Sequence, residues 1–299
     1  MALLTPASVR TVLADHDLRP NRALGQHFLA DPNTARRIVR LAGVEPGDRV
    51  LEIGPGIGSL TLALAEAGAR VLALELDRHL LAPLHAVVGD RATIVAGDAT
   101  TVDFSALLGD ARRSPPESRP GTRRGWRCVS NLPYNVATPV VVRVLEAAPD
   151  VEHLLVMVQR EVGERLAAAP GGRDYGAVSV KVAYFATAEI VGSVSPRVFV
   201  PAPNVESALV RITRRSAPPV EVPSPARLFE LIRAGFAQRR KMLRRAMSSV
   251  IGPDASEVLT RAGVDPSARA EALGLEDWAA VARADDERPG AEGARSGRR

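Results

Sequence analysis

Cysteine is almost absent from this chain of 299 residues. A single one, Cys128, excludes an intramolecular disulfide and any multi-cysteine zinc site. Lysine is nearly as scarce, with only Lys181 and Lys241 among 39 basic residues. That bias fits a GC-rich genome, and arginine adds bidentate pairing with phosphate. No apolar run approaches the ~18 residues a membrane span needs. Met1-Ala2-Leu3-Leu4-Thr5-Pro6 is too short and too broken for a secretory signal. The five histidines form no ligand pairs at a recognisable spacing, so no metal is expected. Together these absences exclude a secreted, membrane-spanning or cysteine-rich metal protein and favour the cytoplasm.

What is present supports a folded protein of one large or two smaller domains, at roughly 150 residues each. The hydrophobic fraction, 46%, is ample for a core. Net charge is only +5, but it is unevenly placed. Residues 226–250 hold seven basic side chains against one acidic, and residues 110–127 hold six against two. Residues 10–40 hold six against three. Such concentration builds a phosphate-binding surface without making the whole protein adhesive. Solvated helix faces and loops are the plainer alternative.

From residue 49 onward, short apolar runs alternate with helical stretches. Residues 49–53, 70–75, 92–96, 127–130 and 153–158 read as buried strands, and 60–66 as a helix ended by Gly68. Strand, helix, strand at this spacing implies a parallel sheet covered on both faces. Residues 183–190 and 205–212 read as an antiparallel edge. The Pro and Gly content of 110–125 excludes a regular element there, and Ser216–Pro225 reads as a stiff proline-rich linker. Helical spacing then resumes. The expected division is a sheet domain over 1–215, a linker over 216–225, a small helical domain over 226–283 and a disordered tail over 284–299.

Glu52-Ile53-Gly54-Pro55-Gly56-Ile57-Gly58 follows a strand and opens a helix, where glycines let a ligand approach the main chain and the helix N-terminus. Alone this is weak. Glu75 comes 21 residues after Gly54, at the end of the next strand, where a carboxylate can take both ribose hydroxyls. Asp98 ends the third strand and suits an adenine amino group. As simple helix caps, Glu75 and Asp98 would not explain why successive strand ends carry the pattern. An adenosine-containing cofactor follows. Glu52 and Asp77 fit structural or ligand roles equally.

The fourth strand ends in Asn131-Leu132-Pro133-Tyr134. An adenine amine is a poor nucleophile because its lone pair is delocalised into the ring. An Asn side-chain oxygen and a main-chain carbonyl, both accepting from its N–H groups, would favour a more tetrahedral nitrogen. Proline fixes the turn, and the Tyr134 ring offers a stacking face to an extruded base. Read without its neighbours, the tetrapeptide is only a strand-to-loop turn. Behind a glycine loop and two strand-end carboxylates it reads as a site that activates an adenine amine.

Here the chain resembles the ribosomal RNA adenine dimethyltransferases, most of all their small-subunit (16S) branch. The likeness runs from Arg22 to about Trp278. It is carried by Leu24-Gly25-Gln26-His27-Phe28-Leu29, residues 51–62, Glu75-Leu76-Asp77, Gly97-Asp98-Ala99, Asn131–Asn135, Gln159–Val162, Asp174-Tyr175-Gly176, Phe199–Ala208 and Phe236–Lys241. The resemblance implies a Rossmann-like α/β domain with a mostly parallel sheet and an antiparallel edge, followed by a small all-helical domain. It implies S-adenosyl-L-methionine as cofactor, held by His27, Leu29, Gly54, Glu75, Asp98 and Asn131. Asn131, Leu132 and Pro133 would surround the target amine, with Tyr134 and Phe199 stacking the base. His27 stands where many relatives have asparagine. The implied reaction dimethylates N6 of two adjacent adenosines in the 3′-terminal hairpin of 16S RNA, within the small subunit or its precursor, by a monomer.

Arg239, Arg240, Lys241, Arg244 and Arg245 place five cations within seven residues and are the expected RNA contacts. Three alternatives remain at this level. The large-subunit branch shares the loop, but Leu132 and Gln238–Lys241 suit the small-subunit branch better. A ribosome-assembly factor without catalysis would not need an intact Asn131–Tyr134. A nicotinamide-dependent dehydrogenase leaves Tyr134 and the basic segment unexplained.

Overall fold

A computed structural model describes residues 3–21, 25–113 and 125–288. The described residues up to Ala167, with Ala186–Arg214, form one compact unit; Ala168–Phe185 and the chain from Arg215 form a second.

The first unit is built on strands β1 (Phe28–Leu29), β2 (Arg49–Ile53), β3 (Arg70–Glu75), β4 (Ala92–Ala96), β5 (Trp126–Asn131), β6 (Val151–Gln159), β7 (Ala186–Val194), β8 (Phe199–Val200) and β9 (Ser207–Arg214). Among the described residues, seven of them form one sheet in the order β4-β3-β2-β5-β6-β9-β7. The first five run parallel, and β9 is antiparallel to both β6 and β7. β1 and β8 make a separate antiparallel pair that sets Leu29 opposite Phe199.

The parallel strands are short β-branched and leucine-rich runs because both faces are covered. The helices that accompany them are α1 (Pro6–Asp15), α2 (Pro32–Leu41), α3 (Ser59–Glu66), α4 (Leu81–Val88), α5 (Phe104–Arg113), α6 (Ala137–Ala147) and α7 (Arg160–Leu166). Val50, Leu60, Leu64, Val71, Leu84, Val129 and Met157 belong to the resulting core. β4, read from sequence as buried, is an edge strand and only half-covered. α5 carries regular structure to Arg113, into the stretch expected to be irregular; the rest of that stretch up to residue 124 lies outside the described residues. Arg127, counted among the cations of 110–127, is buried and pairs with Asp48 at 3.0 Å.

The second unit holds α8 (Ala177–Phe185), α9 (Pro225–Ala237), α10 (Leu243–Ile251), α11 (Ala255–Arg261) and α12 (Leu275–Asp286). Its core gathers Val180, Tyr184, Leu228, Leu231, Met247, Leu259 and Trp278. Three sequence expectations are corrected here. Residues 168–185 leave the 1–215 domain, because Val180 and Tyr184 of α8 pack in the helical core; the edge strand therefore begins at Ala186, not 183. The 216–225 segment belongs to the helical unit, where Val220 is buried and Arg283 donates to the Glu221 carbonyl at 2.8 Å. The tail expected from 284 begins as helix, since α12 runs to Asp286; residues 289–299 lie outside the described ones. Among the described residues no helix is long and apolar enough to cross a membrane.

Candidate functional site

The loops at the C-terminal ends of the parallel strands leave the sheet at matched heights. The Gly54 N–H donates to the Leu74 carbonyl at 2.9 Å, and the Gly97 N–H to the Glu75 carbonyl at 2.8 Å, so both flanking chains stay pinned to β3 past their last paired residue. β2 and β5 behave differently. Their pairing stops at Leu51 and Cys128, and above it the Ser130 hydroxyl accepts from the Ile53 N–H at 2.9 Å. The two strands part where the sheet order reverses, which is where open α/β sheets hold ligands.

A cleft opens there. Its walls come from Gly25–Leu29, the Gly54–Ile57 loop, Glu75–Asp77 and Asn131–Val136. The glycine loop needs its glycines: Gly54, Gly56 and Gly58 all have positive φ, between 61° and 92°. A Cβ at Gly54 would come 3.2 Å from Pro133 Cδ, and one at Gly56 would come 3.0 Å from the Phe28 ring. Backbone therefore forms that part of the wall.

Glu75 ties the loop to the next strand. Its Oε2 accepts from the Gly56 N–H at 3.0 Å and its Oε1 from the Asp77 N–H at 2.8 Å. Burial raises its pKa, and the two backbone donors act against that rise. Glu52, also in the wall, is only 1% exposed. Burial pushes its pKa up to about 8; the nearby Thr61 hydroxyl pulls down, and the neighbouring Glu75 adds to the rise.

Opposite the loop, Asn131 donates from Nδ2 to the His27 carbonyl at 3.1 Å, which leaves the amide oxygen as the end free to accept. The His27 ring stacks obliquely on Tyr134, with centroids 5.3 Å apart, and its Nδ1 sits 2.8 Å from the Pro201 carbonyl. The Tyr134 hydroxyl bonds Ser207 Oγ at 2.6 Å. Leu132 lines the cleft and is buried.

The cleft thus brings together His27, Leu29, Gly54, Glu75, Asn131, Leu132, Pro133 and Tyr134. Two expected residues stand apart. Phe199 is 3% exposed in the core and presents no open stacking face, because its strand pairs with β1. Asp98 is outside the lining, and its Oδ1 accepts from the Thr100 N–H and hydroxyl at 2.8 and 2.7 Å. Sequence reasoning assigned no role to Gln26, whose Nε2 donates to Asp77 Oδ2 at 2.7 Å and braces the cleft rim. Ser207 and Leu76 were also passed over; Leu76 lines the cleft with 52% of its surface exposed, an apolar residue beside a strand-end carboxylate. Cys128 is buried, and burial pushes its thiol up to about 12, so it is no nucleophile.

A family model described as ribosomal RNA adenine dimethylase matches residues 18–285. The chain belongs to that family. A protein of Thermobifida fusca named ribosomal RNA small subunit methyltransferase A is 48% identical over 282 residues, covering 94% of this chain and 95% of the relative. A protein of the same name from Streptomyces griseus is 46% identical over 283 residues, covering 94% of each. Among solved structures, a dimethyladenosine transferase from Plasmodium falciparum shares the fold at a TM-score of 0.67 and 21% identity, covering 85% of this chain and 96% of that one. The 23S rRNA methyltransferase ErmE reaches a TM-score of 0.60 at 26% identity, covering 87% and 100%.

As a member of this family, the adenine dimethylase takes its methyl group from S-adenosylmethionine. The cleft fits that molecule: bare backbone at Gly54 and Gly56, a carboxylate for ribose hydroxyls at Glu75, and a buried oxygen of Glu52 with no partner. Among the described residues, no group of three or more His, Cys, Asp or Glu is placed to hold a metal.

The dimethylase's basic segment is not a helix where it was expected to be one. Arg239, Arg240 and Lys241 lie in the turn between α9 and α10, and only Arg244 and Arg245 are helical. All five are exposed. Arg239 is committed within its own unit: Nε pairs with Glu271 at 2.9 Å and Nη2 donates to the Arg173 carbonyl at 2.6 Å.

Glu52 makes stability depend on pH. Its pKa is higher folded than the ordinary 4.5, so the folded state holds a proton the unfolded state has lost, and stability falls as pH rises from about 4.5 to about 8. The Glu52→Gln variant lacks this loss. Denaturant melts are expected to show its advantage over wild type growing across that range and levelling above it; an advantage that is constant with pH would place the proton elsewhere.

Proposed function

We propose that this dimethylase modifies N6 of two adjacent adenosines in the 3′-terminal hairpin of 16S ribosomal RNA, within the small subunit or its precursor, acting as a cytoplasmic monomer. The observation that carries the reading is end-to-end similarity to relatives named for the small subunit, at 46–48% identity. An intact Asn131–Tyr134 at the cleft supports catalysis over a purely binding role.

S-adenosylmethionine supplies an electrophilic methyl group. Glu75 takes the ribose hydroxyls with the lone pairs its two backbone donors leave over. Gly54, Leu29 and the His27 backbone shape the rest of the hold. On the substrate side, Asn131 Oδ1 and a main-chain carbonyl of Leu132 or Pro133 accept from the target N6. They draw its N–H bonds away from the base plane and free the lone pair for attack. Tyr134 stacks the extruded base alone while Phe199 stays in the core. Alignment and fixed acceptors supply most of the acceleration. The methylated ammonium is acidic enough to lose its proton without a dedicated base. The process runs twice on each adenosine.

The test is labelled methyl transfer to under-methylated small subunits, large subunits and naked RNA, with the modified nucleotides mapped. Label on two adjacent 16S adenosines is the expected result; label on large-subunit RNA would contradict the reading. In the same assay Asn131→Ala should lose turnover far more than it raises the apparent substrate constant.

RNA phosphates meet Arg240, Lys241, Arg244 and Arg245, while Arg239 holds the turn in place. Replacing Arg240 and Lys241 by alanine should lower the slope of log K against log salt by about 1.4–1.8, at roughly 0.7–0.9 per contact. Arg239→Ala should leave that slope unchanged and lower the melting temperature instead. Equal slope losses at Arg239 and Arg240 would contradict the division.

A further inference from the structure

At the base of the cleft lie buried polar atoms without a partner among the described residues. Glu52 Oε2, Ser59 Oγ and Thr61 Oγ1 have no hydrogen-bond partner among the described residues. They come from the end of β2 and the first turn of α3, beneath the glycine loop, and both Glu52 and Ser59 line the cleft. Buried polar groups are almost always paired, so orphans grouped at a ligand site call for a partner that arrives with the ligand.

Charge says what kind of partner. Glu52, Glu75 and Asp77 line the cleft, and among the described residues no lysine or arginine does. Two of these carboxylates are provided for. Glu75 receives the Gly56 and Asp77 N–H groups, and Asp77 receives Gln26 and the His79 N–H. Glu52 receives no main-chain N–H, and its Oε2 has no partner among the described residues. α3 offers it only the hydroxyls of Ser59 and Thr61, β3 sets Glu75 near it, and β5 offers the protonated Cys128 and a Ser130 hydroxyl already engaged with Ile53. His27 and Tyr134 are the other titratable groups of the cleft wall. Burial raises both acids, but backbone donors oppose it at Glu75 and only a hydroxyl does at Glu52.

We propose that Glu52 is a neutral acid in the ligand-free protein and ionises when the cationic S-adenosylmethionine binds, releasing one proton to solvent and matching the ligand's positive charge with a carboxylate formed on binding. This rests on the cleft being the cofactor site. The raised pKa of Glu52, about 8, agrees with the protonated starting state near neutral pH. A consequence follows for turnover. Methyl transfer removes the sulfonium charge, so Glu52 regains its proton in the product complex, and the product S-adenosylhomocysteine loses the matching charge that held its precursor.

Calorimetric titration of the full chain with S-adenosylmethionine at pH 7, in phosphate and in Tris, counts the protons exchanged. Wild type should release close to one proton, and its affinity should rise about tenfold per pH unit below pH 8 and then level. S-adenosylhomocysteine should release markedly less. Glu52→Gln should still bind but release none, whereas His27→Asn should release as wild type does. No release from wild type overturns the proposal without needing any variant. Release that persists in Glu52→Gln, or vanishes in His27→Asn, overturns it too. Failure of wild type to bind at all would instead overturn the cofactor assignment on which it rests.

Discussion

A carboxylate that accepts two main-chain N–H groups is the constraint on which the rest of the site depends. Glu75 ends one strand and reaches back to Gly56 in the loop after the neighbouring strand, so a single side chain fixes the spacing between two loops. It can do so only because the sheet delivers both at one height. The Leu74 and Glu75 carbonyls hold Gly54 and Gly97 beyond the last paired residues of β2 and β4. Without that ladder the glycine loop would be free to collapse into the cleft it borders. In the proposed function the same carboxylate also takes ligand hydroxyls with its remaining lone pairs, which would join structural and binding roles in one residue.

The other half of the cleft depends on a separation. Where β2 and β5 cease to pair, the Ser130 hydroxyl takes the place of a strand partner, and Asn131 to Tyr134 turn away from the sheet. Asn131 is held by the His27 carbonyl, and Tyr134 by Ser207 and the His27 ring. The segment before the sheet thus closes over the segment after its fourth strand. The Asn131 amide is thus fixed in place, and for the proposed reaction that is the condition under which electrostatic preorganisation lowers a barrier.

Much of this was legible in the sequence because parallel strands buried on both faces write themselves as short apolar runs. β2, β3 and β4 lie at 49–53, 70–75 and 92–96 as read. The misread stretch is instructive. The edge strand was read from residue 183, yet Ala183–Phe185 are the end of α8, because Val180 and Tyr184 at i and i+4 face one core. A buried helix loses the polar face that would reveal its period. Three side-chain fates were equally invisible: Phe199 turned into the core, Asp98 committed to Thr100, and Arg239 committed to Glu271 and Arg173. Each is decided by a partner distant in sequence or by backbone geometry, neither of which residue type and spacing encode. Glu52 was left between two roles for the same reason, since only the structure shows that its oxygen lacks a donor.

Segregation of charge completes the picture. The cofactor cleft is lined by acids without a lysine or arginine among the described residues, while the helical unit displays its arginines on an exposed turn. One unit suits a cation and the other a polyanion, on a chain of modest net charge. The central claim is that Glu75 joins loop and ligand. It is tested most directly by titrating S-adenosylmethionine into folded Glu75→Ala. The account predicts affinity weaker by about 1.5–3 kcal/mol, the range for hydrogen bonds to a charged group. Unchanged affinity in a variant with wild-type circular dichroism would contradict it.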